Sequence, residues 1–426
     1  MELNFETKKK IDEIKKKIIK KNQLTKTEYK QILAKINKVV KKITNSIKKN
    51  KLLADVVIGG SVAKETILKN NYDCDIFIRF NKKYKNENLS NLTEKILSIF
   101  KNITRVHGSR DYFNAKIDDI EFEFIPVLKI DSKKDAQNVT DFSPLHVKWI
   151  KSKIKKDSNL IKEIIITKQF CKAIRVYGAE SYIAGFSGHL IEILLVKYKN
   201  FENLLIYSLK WKKHEIIDVE NFKTAKKINK SKINSIIVID PVQPNRNAAS
   251  ALSFEKVEHF KKNALTFLKK PKIKYFIKSK ITIDSIKKIK YNGKKIILKL
   301  YLFKNKKDIT GSIILKIYNK LINTLLINDF EIDKSDFEWN LKNSAIIYIF
   351  VKKAIINKEK IWPGPPVKSK KHCLLFKEKH KNTFIKNNKI YAIVKKKYFN
   401  VDNLINDFIN NETITKKIKN IEYIKI

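Results

Sequence analysis

Asp73 and Asp75 flank Cys74 in DCDIFIRF, a run whose alternating apolar residues predict a strand over Cys74–Phe80. Strand side chains alternate between faces, so the two carboxylates share one, with Cα atoms about 6.6 Å apart. Carboxylates so placed can bridge two divalent cations roughly 3.5–4 Å apart. Like charges on one face repel and destabilise a strand, so the arrangement calls for metal. Twelve residues before Asp73 stands Ser61, in the Gly59-Gly60-Ser61 triplet that ends the apolar run Ala54–Ile58; the chain has only nine Gly. A Gly-Ser turn between strand and helix presents backbone N–H groups and a hydroxyl, an arrangement that binds phosphate. Lys64, three residues past Ser61, can reach a phosphate oxygen. A third carboxylate is expected on a neighbouring strand, predicted over Ile117–Val127. There Glu121 and Glu123 share a face opposite Ile120, Phe122 and Phe124, and alternation does not choose between them. A lone Gly-Ser or Asp-x-Asp is common. The ordered set points to a two-metal phosphate site.

These residues need a sheet beneath them and a helix behind it. Ile32, Ile36, Val39, Ile43 and Ile47 recur at helical spacing within 26–49, which predicts an amphipathic helix packed on that sheet. Residues 62–69 are expected to begin a helix, and Leu92–Phe100 to form another. Strand–turn–helix–strand–helix–strand implies an α/β or α+β domain ending near Pro144. Helical periodicity in His146–Lys155, Asn159–Val176 and Gly188–Trp211 then predicts a mostly helical second domain over 146–268. It is interrupted by a strand at Ile236–Asp240 and closed by a helix from Asn247 to Leu268. From 269 to 426, β-like runs (Lys294–Phe303, Ala345–Val351, Lys389–Val394) alternate with helical ones (Ile309–Ile327, Val401–Ile409). WPGPP at 362–366 is expected to be a rigid loop.

Composition excludes several classes. Hydrophobic residues make up 43% of the chain, enough for packed cores rather than disorder. No run approaches the roughly 20 apolar residues of a membrane span, and the start lacks a secretory core, so a soluble cytoplasmic protein is expected. Cys74, Cys171 and Cys373 form no CxxC pair, which suggests neither disulfides nor zinc. Lys and Arg total 92 against 43 acidic residues, a net charge of +49 that attracts polyanions. Only five of the 92 are Arg, so part of the excess also fits a genome that favours Lys codons.

The ordered set resembles the nucleotidyltransferase superfamily of DNA polymerase β, poly(A) polymerases and CCA-adding enzymes. Four further stretches, in order, resemble the archaeal class I CCA-adding enzymes: DFSPLHVKWI at 141–150, RVYGAESYIAGFSGHLIEILLVKYKNF at 175–201, IDPVQPNRNAASALS at 239–253 and WPGPPVKSKKHCLLFKEKH at 362–380. The resemblance implies an α+β multidomain fold. It comprises a polymerase-β-like catalytic domain with a mixed sheet (1–145), a helical central nucleotide-binding domain (146–268), and an α+β C-terminal body and tail (269–426). The implied activity is template-free addition of the 3′-terminal CCA of tRNA from CTP and ATP, with two Mg²⁺ ions. Asp73, Asp75 and Glu123 match the metal-binding catalytic carboxylates, Glu123 by its place before Pro126. Gly60, Ser61, Lys64 and Lys172 match groups that hold the triphosphate, although the family usually has Arg at position 64. Ser143 and His146 match a nucleotide-contacting segment, and Arg246 an arginine that contacts the base. Where the family has a tyrosine this chain has Ser181, with Tyr182 beside it, and both are candidates. The expected partners are the acceptor and TψC arms of tRNA, with Tyr275, Phe276 and Tyr301 interleaved among the lysines that bind them, and a second copy of the chain in a homodimer. GFSG at 185–188 reads as a helix start, Glu192 as a structural residue, and Pro241 and Pro244 as fixing the loop that aims Arg246. Another synthase of the superfamily, extending RNA with AMP, and a basic tRNA-binding protein with a decayed site are the competing readings.

Overall fold

The computed structural model describes residues 3–69, 72–130 and 135–425. Asn70 and Asn71, inside the 59–80 motif, lie outside the described residues. The chain divides into two compact units, Met1–Lys278 and Ser279–Ile426.

Unit 1 opens with α1 (Phe5–Asn22) and α2 (Lys26–Lys49). Thr25 and Glu28 begin α2 with a reciprocal capping box, each side chain accepting the other's backbone N–H. The five spaced β-branched residues of α2 are all buried, on the predicted face. The sheet behind them is built from β1 (Ala54–Ile58), β2 (Asp73–Phe80), β3 (Thr104–Val106), β4 (Tyr112–Ile117) and β5 (Ile120–Leu128), in the order β1-β2-β5-β4-β3. Only the central β2–β5 pair is parallel, so the sheet is mixed. Between β1 and β2 lies a four-residue helix, α3 (Gly60–Ala63), and α4 (Leu89–Leu97) precedes β3. The helix expected over 62–69 is therefore shorter and earlier; Glu65, at φ 58°, stops it. The strand expected from Ile117 starts at Ile120, because Asp118 and Asp119 both take positive φ and turn β4 into β5 as a tight hairpin.

The helices α5 (Ser143–Lys156), α6 (Asn159–Ala173), α7 (Gly188–Tyr198) and α8 (Phe201–Ser208) follow, then short strands β6 (Ile216–Ile217) and β7 (Ile237–Val238), and α9 (Phe254–Lys269). The single helical run expected over 188–211 breaks at Lys199, whose φ of 75° ends α7, and Asn200 caps α8. The helix expected from Asn247 begins seven residues later. The buried Asn247 carboxamide accepts from the Val238 and Ala249 N–H groups and donates to the Lys232 and Ile236 carbonyls, which organises a loop instead. Phe170, Phe201, Phe260, Phe267 and Phe276 form the aromatic centre of this core, which also takes Ile11, Ile14 and Ile18 of α1. Phe276 is thus a core residue and is not available to stack on RNA.

Unit 2 contains α10 (Ile283–Lys287), β8 (Lys294–Tyr301), α11 (Lys307–Ile327), β9 (Ile332–Trp339), β10 (Ser344–Val351), β11 (Glu359–Pro366), α12 (Lys370–Lys379), β12 (Thr383–Lys386), β13 (Lys389–Lys395), α13 (Val401–Ile409), α14 (Glu412–Thr415) and β14 (Asn420–Ile424). One sheet runs β14-β8-β10-β9 and the other β11-β13-β12. WPGPP is not a loop. It forms the end of outer strand β11, with a register shift between Pro363 and Pro366. Proline is tolerated there because an outer strand need not donate on its free side.

Candidate active site

Cys74, Ile76, Ile78 and Phe80 of β2 are buried in the core under α2. Asp73, Asp75 and Phe77 therefore project from the opposite face, where Phe77 packs with Val127 and Val147. Because β2 and β5 are parallel and in register, Asp73 stands beside Glu121 and Asp75 beside Glu123. Neighbouring strands lie about 4.8 Å apart, so four carboxylates share one small area. The two pairs differ. Glu121 is exposed and stands opposite Lys116 of β4, whereas Glu123 is half-buried and stands opposite Asn114. Burial pushes the Asp75 carboxyl above the usual range, and the Asp73 charge adds to this; Lys64 and Lys168 oppose it.

The glycine pair closes on these acids. Gly59 N–H donates to the Asp75 carbonyl at 2.7 Å. A Cβ on Gly59 would meet the Phe77 ring at 2.3 Å. Gly60 has φ +56°, and a Cβ there would lie 2.2 Å from Asp75 Oδ2. The turn and the aspartate thus need each other's space, and Ser61 follows within α3.

Cations reach this face from the helices. Lys64, just past α3, meets both Glu192 oxygens at 2.9 Å; Glu192, on α7, is 1% exposed. Lys168 on α6 is fully enclosed, bonded to the Thr66 hydroxyl at 3.1 Å, and burial pushes its amine down to about 8. Lys172, one helical turn on, lies over the Tyr177 ring at 5.2 Å; burial lowers its pKa, and the Asp73 charge opposes the shift. Glu192 is held well below the ordinary carboxylate range: burial alone would raise it, but Lys64, His189 and Lys168 prevail.

His146 and Arg246 meet at a second buried acid. Asp240, 0% exposed, accepts from His146 Nε2 at 3.0 Å, from Arg246 at 2.5 Å, and from the Val242 and Gln243 N–H groups. His189 of α7 lies between the two acids, with a ring nitrogen 3.7 Å from Glu192 and the other 3.6 Å from Asp240. Arg246 lines an open groove of about 600 Å³ together with Phe142, Ile228, Lys232, Gln243 and Pro244. Ser143 is the first residue of α5. Ser181 and Tyr182 lie in a turn closed by the Gly178–Phe186 and Gly185–Gly178 backbone bonds, and Ser181 is the more exposed. Ser187 caps α7, as expected of GFSG.

Residues 40–171 match the family model described as "Nucleotidyltransferase domain", 162–277 "tRNA nucleotidyltransferase, second domain", and 305–424 "CCA-adding enzyme, C-terminal domain". The CCA-adding enzyme of Nanoarchaeum equitans is 34% identical over 85% of this chain and 90% of its own. The chain belongs to the family of archaeal CCA-adding enzymes. The CCA-adding enzymes of Methanocaldococcus jannaschii and Methanococcus maripaludis are 28% and 30% identical, over 94% and 90% of this chain and 91% and 87% of theirs. The Cid1 poly(U) polymerase with Mg and 3′-dATP bound has the nucleotidyltransferase fold in common with it, at a TM-score of 0.50 and 10% identity, over 64% of this chain and 98% of that one.

Local sequence pattern does not single out Lys168, His189 or Asp240, and Glu192 reads from it as structural. One signal was available. Lys168 sits four residues before Lys172 in the stretch IIITKQFCK, so the two amines share a helix face. The place of Asp240 beside His146 depends on a contact between residues 94 positions apart, which no local pattern shows.

Proposed function

We propose that this chain adds and repairs the 3′-terminal CCA of tRNA, by attack of the tRNA 3′-hydroxyl on the α-phosphate of CTP or ATP with release of pyrophosphate. The observation that carries the reading is the parallel register of β2 and β5, which sets Asp73, Asp75 and Glu123 on one face against the Gly60 turn. A half-buried carboxyl with a raised pKa beside a like charge is the environment that a divalent cation relieves, so these residues fit two Mg²⁺ ions. Asp73, Asp75 and Glu123 would hold them, Glu123 being preferred to Glu121 because it flanks the more buried aspartate. When bound, such ions supply Lewis acidity and neutralise charge on the triphosphate.

The remaining groups act on the nucleotide. The Gly60–Ser61 turn cradles phosphate oxygens through backbone N–H groups and a hydroxyl. Lys64 and Lys172 approach the same face and bind the triphosphate; Ser181 or Tyr182 completes that contact. Ser143 and His146 border the nucleotide on the α5 side. Without a template, the base must be chosen by hydrogen bonds to its Watson–Crick edge, and Arg246, at the mouth of the groove, supplies donors for it. Unit 2 binds the acceptor and TψC arms through phosphate contacts and shape. Its exposed Trp362, with the Lys360 amine 4.7 Å from the ring centre, offers both charge and a stacking face. We assign the protein to the cytoplasm as a homodimer; among the described residues no helix is long and apolar enough to cross a membrane.

The test uses tRNA lacking CCA, labelled CTP and ATP, and Mg²⁺. Incorporation should stop after C, C and A. Open-ended AMP addition would refute the reading, and so would tRNA binding without incorporation. The Asp75→Ala variant should lose incorporation and keep tRNA binding; lost binding would place Asp75 in the fold instead.

A further inference from the structure

Two of the three cations that the proposed reaction directs at the nucleotide are tied to buried acids. Lys64 is paired with Glu192 and Arg246 with Asp240. Each cation must turn from its acid to meet a phosphate or a base. A buried carboxylate left without a partner is strongly destabilising. Something else must then balance Glu192 and Asp240.

Lys168 stands near Glu192 and is fixed there by Thr66. Among the described residues, Asp240 has no comparable second amine. Its remaining partners are two backbone N–H groups, His146 and His189. Burial, more than Asp240 opposes it, lowers the pKa of His146, and the charge of His189 lowers it further. Burial works against a charge on His189 as well, but there the two facing acids prevail and its pKa is raised. The rings are 4.3 Å apart between centres, so a charge on one disfavours a charge on the other, and the facing acids favour it on His189. Among the described residues, the ionisable groups around it are His146 on α5, Glu192 on α7, and Asp240 and Arg246 on the loop, with Lys64, Lys168 and Tyr177 beyond Glu192. Trp149, the other ring against His189, donates its N–H to Glu220. Both nitrogens of His189 are buried and lie beyond hydrogen-bonding range of either acid, within ion-pair range of both. A small rotation serves whichever acid is vacated.

We propose that His189 is a positioning residue: as an imidazolium between Glu192 and Asp240, it balances the two acids when Lys64 turns to the triphosphate and Arg246 to the base. This deepens the CCA-adding reading and rests on the roles given there to Lys64 and Arg246. The charges close. With Lys64 and Arg246 engaged on substrate, Glu192 and Asp240 face Lys168 and His189, two of each sign. With His189 neutral, one acid is left over, and it holds back its own cation. The donor atoms of His146, His189 and Asp240 lie within 4.8 Å of one another, close enough to suggest a bound metal. Arg246 on the same carboxylate argues against one.

The experiment is calorimetric binding of ATP, CTP and inorganic tripolyphosphate, each with Mg²⁺, to the full chain and to His189→Gln and His189→Lys. At pH 7 the Gln variant should bind ATP and CTP roughly tenfold or more weakly, and tripolyphosphate, which leaves Arg246 on Asp240, nearly as the wild type does. The Lys variant restores a fixed cation and should recover most of the affinity. From pH 6 to 9 the wild-type affinity should fall relative to the Lys variant as His189 loses its proton; nucleotide titration is common to both and cancels. Ring ¹⁵N shifts of the labelled wild-type protein should show His189 as imidazolium at pH 7, a readout independent of whether any variant folds. Unchanged ATP and CTP binding by His189→Gln, a neutral His189 at pH 7, or stoichiometric zinc on elemental analysis would each overturn the proposal. Failure of the wild type to add CCA would instead remove the functional reading, while the binding and ring measurements would still be interpretable.

Discussion

Replacing Gly60 by alanine places a methyl group where Asp75 Oδ2 now sits. The added carbon would lie 2.2 Å from that oxygen. Comfortable carbon contacts begin near 3.5 Å, so the carboxylate must retreat by about 1 Å. A misplacement of about 1 Å at a reacting centre can cost on the order of 100-fold in rate. The backbone adds its own penalty, because φ is +56° and an L residue in that conformation costs roughly 1–2 kcal/mol. Folding should therefore suffer modestly, with Tm falling by a few degrees in a unit of this size. Chemistry should suffer far more. Single-turnover incorporation of labelled CTP onto tRNA lacking CCA, at saturating nucleotide, separates the two, with calorimetry as the folding control. A Gly60→Ala enzyme that melts a few degrees lower but incorporates at the wild-type rate would refute the claim that the turn and Asp75 are mutually fitted.

Two further outcomes concern folding. Lys168 has its amine pushed from 10.5 down to about 8 by burial, so between those values the unfolded chain holds more protons than the folded one. Stability from this residue must then rise with pH across that window, by on the order of 3 kcal/mol, and be fully penalised below pH 8. Urea titrations at pH 8 and 10 should show this rise in the wild type and its absence in Lys168→Met; equal slopes in the two proteins would contradict it. Thr25→Ala removes one half of the capping box on α2 and should cost about 1 kcal/mol, seen as a lower urea midpoint without loss of incorporation rate per folded molecule.

Much of the carboxylate face could be read from residue order, because strand alternation is a local property. Cys74, Ile76 and Ile78 had to share a side, and that alone put Asp73 and Asp75 together on the other. The choice between Glu121 and Glu123 was not local. It depends on which residue of β5 lies beside the half-buried aspartate, a register set by a strand 48 residues away in sequence. The missed breaks share a cause as well. Lys199 and the Asp118–Asp119 turn take positive φ without glycine or asparagine to announce it. The loop held by Asn247 resembles a helix start because the side chain that could cap a helix instead bonds to backbone groups on either side of it. Lys64 shows the same limit at the site itself. Its distance from Ser61 suggested a phosphate ligand, while its present partner, Glu192, lies 128 positions further along the chain.

The prolines of strand β11 have a consequence for handling the protein. Ile361 and Trp362 are strongly exposed on that strand, 62% and 46%, beside a sheet margin that would otherwise invite a stranger's backbone to dock. Pro363, Pro365 and Pro366 bring no N–H to such a docking, so the greasy margin cannot be lengthened into a continuous intermolecular sheet. Purified protein should accordingly resist fibrous self-association at this margin even when concentrated in salt strong enough to screen its lysines, and exchanging those three residues for threonine should remove that protection.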